Sequence, residues 1–117
     1  MQFTTSLTNN YEFRRLYAKG RSAVTPTLVI YTRRGRGGVN RVGFTVTTKL
    51  GKAVVRNRIR RRLREIYRLN EARFSPGWDI VVVARSKAVT ASFDALQRGY
   101  LSLARKAGLL RPQEDKP

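Results

Sequence analysis

The apolar positions of this chain repeat with two different periods, and each period marks where one kind of secondary structure should form. A spacing of three and four residues keeps apolar side chains on one face of a helix. This spacing predicts three helices, from Asn9 to Gly20, from Gly51 to Leu69 and from Ser92 to Gly108. The predicted apolar stripe of the middle helix consists of Val55, Ile59, Leu63, Ile66 and Tyr67.

Four other segments have the alternating or continuous apolar pattern of β-strands. They are residues 21–25, 28–32, 42–46 and 79–84, and the last contains a continuous apolar run that is typical of a strand buried on both faces. The resulting order, α-β-β-β-α-β-α, predicts an α+β sandwich in which helices pack on a four-stranded sheet.

The length of the chain, 117 residues, is that of one ordinary domain. We expect a single domain over residues 1–117, with residues 1–7 and 111–117 as frayed tails. No stretch approaches the roughly 20 apolar residues of a membrane span. The polar segment Met1–Asn10 also lacks the apolar core of a secretion signal. These features predict a cytoplasmic protein without a membrane partner.

The chain is strongly basic, with 25 Lys and Arg residues against 7 Asp and Glu and a formal net charge of +18. Repulsion between so many like charges opposes folding, so the charge indicates a polyanionic partner. Most of these cations are arginines, whose planar fork of donors matches phosphate groups and stacks on bases. The composition therefore favours nucleic acid as the partner, ahead of an anionic membrane surface.

The residue types that most enzymes use for acid-base, covalent or metal chemistry are scarce in this chain. It contains no cysteine and no histidine, which removes thiolate nucleophiles, the most common general base and the most common transition-metal ligand. Its seven carboxylates are scattered, and no two stand at a helical or strand spacing beside an acid-base partner. We therefore predict no catalytic residue and no metal site on the protein.

Basic side chains crowd the middle predicted helix, between the positions of its apolar stripe. Like charges four residues apart cost roughly a few tenths of a kcal/mol per pair in an isolated helix, and bound phosphates would remove this repulsion. The helix is therefore predicted to bind RNA. Its candidate RNA-binding residues are Lys52, Arg56, Asn57, Arg58, Arg60, Arg61, Arg62, Arg64 and Arg68.

Two other interpretations of this helix are weaker. A solvated charged face normally mixes signs, whereas Glu65 is the only acidic residue between Lys49 and Asn70. A helix that lies on a membrane or docks into the groove of a partner would need bulky exposed aromatic side chains beside its basic stripe, and the apolar stripe here is needed to cover the sheet. For Asn57 two interpretations stay open: its amide contacts RNA or orients arginines, or the residue is merely tolerated near the helix start.

Three aromatic residues, Phe13, Tyr17 and Tyr31, could line one groove if the first helix packs beside the strand that carries Tyr31. Unpaired bases stack on such rings with a stabilisation of roughly 1–3 kcal/mol per base. Packing in the core is the alternative and is favoured for Phe13, whereas tyrosine tolerates a wet groove. The Arg/Gly-rich loop at residues 33–38 could follow an RNA backbone or form a simple hairpin tip.

Residues 52–65, with the sequence KAVVRNRIRRRLRE, resemble the Arg-Asn-Arg signature of the protein subunit of bacterial ribonuclease P. The basic and apolar positions interleave as they do in that family. Residues 11–17 resemble the first helix of the family, residues 41–46 the strand before the signature, and residues 79–85 the last strand. The resemblance covers roughly residues 7–108.

The resemblance implies a fold in which a β-α-β crossover has an unusual left hand. It also implies a function, the maturation of the 5′ end of precursor transfer RNA. The catalyst in this family is a large RNA subunit that uses Mg²⁺, so the protein alone should be inactive. The signature helix binds that RNA, and a cleft beside the sheet holds the 5′ leader of the precursor. The implied leader-binding residues are Phe13, Tyr17, Tyr31, Lys49 and Arg85.

Two other functions fit the same charge. A ribosomal or general RNA-binding protein shares the basic helix but leaves the signature unexplained. A salt-resistant preference for one structured RNA would separate these two functions. A protein-only nuclease would need histidines or clustered carboxylates that this chain lacks, and cleavage by the RNA-free protein would revive it.

Overall fold

A mixed β-sheet forms the centre of the molecule, with one helix on one face and two helices on the other. The computed structural model describes residues 4–7, 10–35 and 37–111. The strands of the described residues are β1 (Thr4–Ser6), β2 (Arg21–Val24), β3 (Leu28–Arg34), β4 (Asn40–Thr45) and β5 (Trp78–Ala84). Their α-helices are α1 (Asn10–Lys19), α2 (Ala53–Asn70) and α3 (Phe93–Lys106).

The strand order across the sheet is β1-β4-β5-β3-β2. Strand β5 lies at the centre, where it runs antiparallel to β3 and parallel to β4. Because parallel neighbours cannot be joined by a tight turn, the chain must cross over between β4 and β5, and α2 provides that crossover. The α+β class, the three helices and the four predicted strands are confirmed, and the left hand of the crossover stays a prediction from the resemblance.

The N-terminal segment differs from its prediction. Residues Thr4–Ser6 form β1, which pairs in parallel with β4, and the backbone N–H of Leu7 donates to the carbonyl of Val42 at 3.0 Å. The side chain of Leu7 is 4% exposed. The prediction of a frayed tail over residues 1–7 is therefore wrong for residues 4–7.

The polar sequence of β1 gives no strand signal, because its place depends on the free edge of β4. The first residue of the predicted C-terminal tail, Arg111, is also held by the fold. The backbone N–H of Arg111 donates to the carbonyl of Arg73 at 2.7 Å. Residues 1–3 and 112–117 of the two predicted tails lie outside the described residues, as does Asn9 at the predicted start of the first helix.

Two hydrophobic clusters hold the helices on the sheet. The larger cluster joins the sheet to α2 and α3, and the predicted stripe residues Ile59, Leu63, Ile66 and Tyr67 are buried in it. The smaller cluster lies under α1, where Leu16 packs with Leu7 and Val81. Among the described residues, none of the helices combines the length and apolar character that crossing a bilayer requires.

A buried amide ties the start of β4 to β5 and α2. The Oδ1 atom of Asn40 accepts a hydrogen bond from the backbone N–H of Trp78 at 2.8 Å, and its Nδ2 atom donates to the Tyr67 hydroxyl at 3.3 Å. Because a buried amide loses free energy when its partners are missing, these bonds favour one position of α2 against the sheet. The crossover helix therefore presents its polar side to solvent in a defined orientation.

Candidate nucleic-acid interface

Helix α2 carries seven arginines and one glutamate in 18 residues, and its arginines point to three sides. One turn of an α-helix holds 3.6 residues, so neighbours in sequence fan out by about 100°. With Ile59 and Leu63 buried, Arg61 and Arg64 fall on the outer side, away from the sheet. Arg68 also lies on the outer side. The other four arginines lie on the two flanks of the helix, and each flank contacts a different part of the protein.

On one flank, two arginines reach the segment that leads into α3. Nη2 of Arg58 donates to the carbonyl of Val89 at 3.3 Å, and Nη1 of Arg62 donates to the carbonyl of Ala91 at 3.1 Å. Each guanidinium carries five N–H donors, so both keep several donors for a ligand. These bonds hold the two cations in place before any ligand arrives.

On the other flank, Arg60 reaches the end of β4. Its Nη2 atom donates to the carbonyl of Val46 at 3.3 Å, and its Nη1 atom donates to Oδ1 of Asn57 at 3.1 Å. Of the two interpretations of Asn57, this contact supports the one in which its amide orients an arginine. The Nε atom of Arg56 donates to the carbonyl of Gly51 at 3.2 Å, which places a second cation near the helix start.

The outer side of α2 carries cations that the protein leaves available. Arg61 and Arg64 are exposed, and no described residue makes a hydrogen bond or ion pair with either of them. Arg68 differs, because its Nε atom donates to Oε1 of Glu65 at 2.7 Å. Lys52 is exposed at the N-cap position, where the positive end of the helix dipole adds to its charge. Helix α2 therefore presents its free positive charge at its start and along its outer side.

The three predicted aromatic residues lie together, as expected, beside α1. The rings of Tyr17 and Tyr31 make an edge-to-face contact with centroids 4.9 Å apart and planes at 78°. The ring of Phe13 lies 6.5 Å from that of Tyr17. The Tyr17 hydroxyl is 2.8 Å from Oγ1 of Thr45, which anchors the exposed ring to β4.

An open groove of about 490 Å³ lies between α1, the end of β4 and α2. Arg60 lines it, so the groove and the arginine surface of α2 meet at this side chain. Tyr31 supports Tyr17 from behind and is not among the lining residues. The residues that line the groove, among those described, are Phe13, Arg14, Tyr17, Phe44, Thr45, Val46 and Arg60.

Two predicted leader-binding residues lie outside the lining of this groove. Lys49 is exposed on a short 3-10 turn, Thr48–Leu50, that precedes α2. Arg85 follows β5, and its Nη1 atom donates to the carbonyl of Thr25 at 2.9 Å, near the turn between β2 and β3. Their assignment to the leader stays a prediction, now for positions beyond the groove.

Sequence reasoning missed Gly43, on which the shape of the groove depends. A Cβ atom at this position would lie 2.5 Å from Cζ of Phe13 and 3.1 Å from the carbonyl oxygen of Leu7. Only glycine lets the Phe13 ring approach β4 this closely. A glycine inside an alternating strand is the sequence signal for such an approach. Phe13 therefore both packs against the smaller cluster and lines the groove, and its contact with the leader stays a prediction.

Two of the described carboxylates, Glu12 and Asp79, are paired with one arginine. Arg41 bridges them, with Nη1 2.7 Å from Oε2 of Glu12, and with Nε and Nη2 2.9 and 2.8 Å from the two oxygens of Asp79. The hydrogen bond to Asp79 is the main cause that raises the pKa of the Arg41 guanidinium above its ordinary value. No group of three or more Asp, Glu, His or Cys side chains in the described part of the chain could hold a metal ion. The negative charges of Glu12 and Asp79 are therefore compensated by a cation of the protein itself.

Known proteins resemble this chain along almost all of its length. A family model described as Ribonuclease P matches residues 1–108. The Ribonuclease P protein component of Natranaerobius thermophilus is 38% identical over 111 residues, which cover 95% of this chain and 96% of that protein.

Solved structures give the same result. The RNase P protein of Staphylococcus aureus has a TM-score of 0.84 at 30% identity and covers 91% of this chain and 97% of its own. The RNase P protein from Thermotoga maritima has a TM-score of 0.79 at 30% identity, with 86% and 96% covered. The resemblance of residues 52–65 and their flanks is therefore confirmed, and the chain belongs to the ribonuclease P protein family, which acts in transfer RNA processing.

Proposed function

We propose that this chain is the protein subunit of a ribonucleoprotein ribonuclease P and that it binds two RNA segments on adjoining surfaces. Helix α2 binds the catalytic RNA, and the groove beside α1 holds the 5′ leader of precursor transfer RNA. The observation that carries the proposal is the position of Arg60, which lines the groove and also belongs to the arginine surface of α2. RNA bound at either surface would lie next to RNA bound at the other.

The two surfaces suit different forms of RNA. Structured RNA offers an array of phosphates, and α2 offers exposed and pre-oriented guanidinium groups that can bind phosphate oxygens in pairs. Single-stranded RNA offers unstacked bases, and the groove offers the exposed ring of Tyr17 with Arg14 and Arg60 nearby. The protein would thus present the leader to the catalytic RNA in one orientation.

Catalysis is proposed to rest on the RNA subunit, with Mg²⁺ held by that RNA. The described carboxylates that approach each other are both bound to Arg41, so no residue set here is suited to activate water. The contribution of the protein is positioning, which reduces the entropic cost of aligning the precursor. Its arginines also neutralise phosphates that would otherwise need magnesium counterions. The proposed location is the cytoplasm, and no membrane partner is involved.

Cleavage of a precursor transfer RNA at low magnesium tests this function. The three reactions contain bacterial ribonuclease P RNA alone, the protein alone, and both together. We expect cleavage only with both components, since the protein supplies positioning and charge neutralisation but no catalytic group. An unchanged rate after the protein is added would leave a general RNA-binding protein, and cleavage by the protein alone would indicate a nuclease.

Replacing Tyr17 with alanine should weaken leader binding and leave catalytic RNA binding unchanged. Stacking on one base is worth about 1–3 kcal/mol, so the affinity for a precursor with a leader should fall by about 5- to 150-fold. The measurement compares precursors with and without a leader. Tyr17→Phe is the matched control, because it keeps the ring and loses only the contact with Thr45. Equal losses in both variants, or a loss of catalytic RNA binding, would contradict the two-surface arrangement.

A further inference from the structure

Helix α1 separates two concave sites on the same face of the sheet. One side of the helix carries Phe13 and Tyr17 and forms the groove. The other side carries Arg15 and forms a second concavity of about 460 Å³, which we call the basin. The basin is bounded chiefly by Arg15, Arg33 and the ion cluster of Glu12, Arg41 and Asp79.

The basin lies at the opposite end of the strands from the groove. Its residues Arg33, Arg41 and Asp79 are register partners across β3, β4 and β5. The groove is reached four residues later along β4, at Thr45. At about 3.3 Å per residue, these two levels of the sheet are separated by about 13 Å. Binding in the basin therefore needs no contact with the groove or with α2.

Within the described part of the chain, two arginines of the basin have no charged or hydrogen-bonded partner. Arg41 binds both carboxylates, Glu12 and Asp79, so these acids are already engaged. No described residue makes a hydrogen bond or ion pair with Arg15 or Arg33. The basin is therefore net positive, and its unpaired guanidinium groups are available for an anion.

The rim of the basin includes Arg34 and Gly35, which lie at the start of the Arg/Gly segment that the proposed function leaves without a role. Arg34 lies at the rim with its guanidinium carbon 4.7 Å from the centre of the Trp78 ring. A stacked guanidinium keeps its N–H edge free for oxygen acceptors. Arg36 of this segment lies outside the described residues.

We infer that the basin is a further RNA-binding site, which holds phosphate groups of an RNA strand independently of α2 and the groove. Arginine forks match phosphate oxygens, and the acids that would repel a phosphate are bound to Arg41. The site deepens the proposed function, because the RNA is either a distal part of the leader or a segment of the catalytic RNA. Both sources offer the same phosphodiester group.

The double variant Arg15→Gln/Arg33→Gln tests the basin in the assembled ribonucleoprotein. Its control is Arg98→Gln/Arg105→Gln, which removes the same charge from exposed positions of α3. Binding is measured at several salt concentrations with three probes: catalytic RNA alone, and precursors with a short and a long leader bound to the holoenzyme. We expect an affinity about tenfold below that of the control for at least one probe. The salt slope should fall by about 0.7 per lost single-stranded contact.

The probe that shows the loss identifies the source of the RNA. A loss confined to the long leader assigns the basin to the leader, and a loss with catalytic RNA alone assigns it to that RNA. Arg15→Gln by itself changes an exposed position of α1, so it should keep the fold and show about half of the change in slope. The inference is overturned if the double variant and the control bind all three probes alike. That result would leave wild-type stimulation of cleavage intact, whereas failure of the proposed function would remove it.

Discussion

The double substitution Arg61→Gln/Arg64→Gln should lower the affinity for the catalytic RNA by about 30- to 150-fold. The two side chains are exposed on the outer side of α2, and no described residue pairs with them. A charge-assisted contact with phosphate is worth about 1–1.5 kcal/mol, so losing two contacts gives that range. The logarithmic salt dependence of binding should also become shallower, by about 0.7 to 0.9 for each lost phosphate contact.

Stability measurements distinguish lost RNA contacts from lost folding. The two substitutions remove like charges from a crowded helix and break no hydrogen bond to a described residue, so the thermal midpoint should not fall. The variant Arg98→Gln/Arg105→Gln changes the net charge equally and should bind the catalytic RNA almost as the wild type does. If both variants lost the same affinity, binding would depend on net charge and the assignment to α2 would be wrong.

The flank arginines should respond differently. Arg58 and Arg62 are held by the carbonyls of Val89 and Ala91, so their removal frees these acceptors and loosens the segment before α3. The exposed arginines of α2 are thus proposed to bind RNA alone, whereas Arg58 and Arg62 also hold the segment before α3. The sequence predicts both groups as one set, because the acceptors lie 31 and 29 residues away and no local pattern records them.

Local patterns do predict the elements that bury a continuous apolar face. The stripe through Ile59, Leu63 and Ile66 gave the position of α2, and the apolar run in β5 gave the strand at the centre of the sheet. The edge strand β1 gave no such signal, since three polar residues are held there by backbone pairing with β4. Pairing of this kind depends on the free backbone donors and acceptors at the edge of the partner strand.

Local sequence patterns also predict only some of the residues that form the groove. Phe13, Tyr17 and Tyr31 were brought together as predicted, because helical spacing and strand chemistry place them. Phe44 and Thr45 line the groove because of where α1 crosses the sheet. The spacing of residues in the sequence does not predict that crossing point. The position of that crossing depends in turn on the close approach of the Phe13 ring to Gly43, for which the sequence carries only the signal of a glycine inside an alternating strand.

That close approach makes Gly43→Ala the most informative change in the groove. An added Cβ would lie 2.5 Å from Cζ of Phe13, so the ring must move away from β4. Overpacking of this kind costs about 1–3 kcal/mol of unfolding free energy. The open space next to the ring is the groove itself, so the displaced side chain should fill the proposed leader site.

The expected result is a protein that binds the catalytic RNA normally but no longer distinguishes precursors with a leader from those without one. Gly38→Ala is the matched control, because a Cβ there meets nothing within 4 Å. A double-mutant cycle identifies the cause: Phe13→Leu should destabilise the Gly43→Ala protein less than it destabilises the wild type. Additive effects would mean that the two residues do not interact, and the groove would then owe its shape to another contact. A double variant that is less destabilised than the sum of the two single variants, together with lost leader discrimination, would link the position of the Phe13 ring on β4 to the binding of the leader.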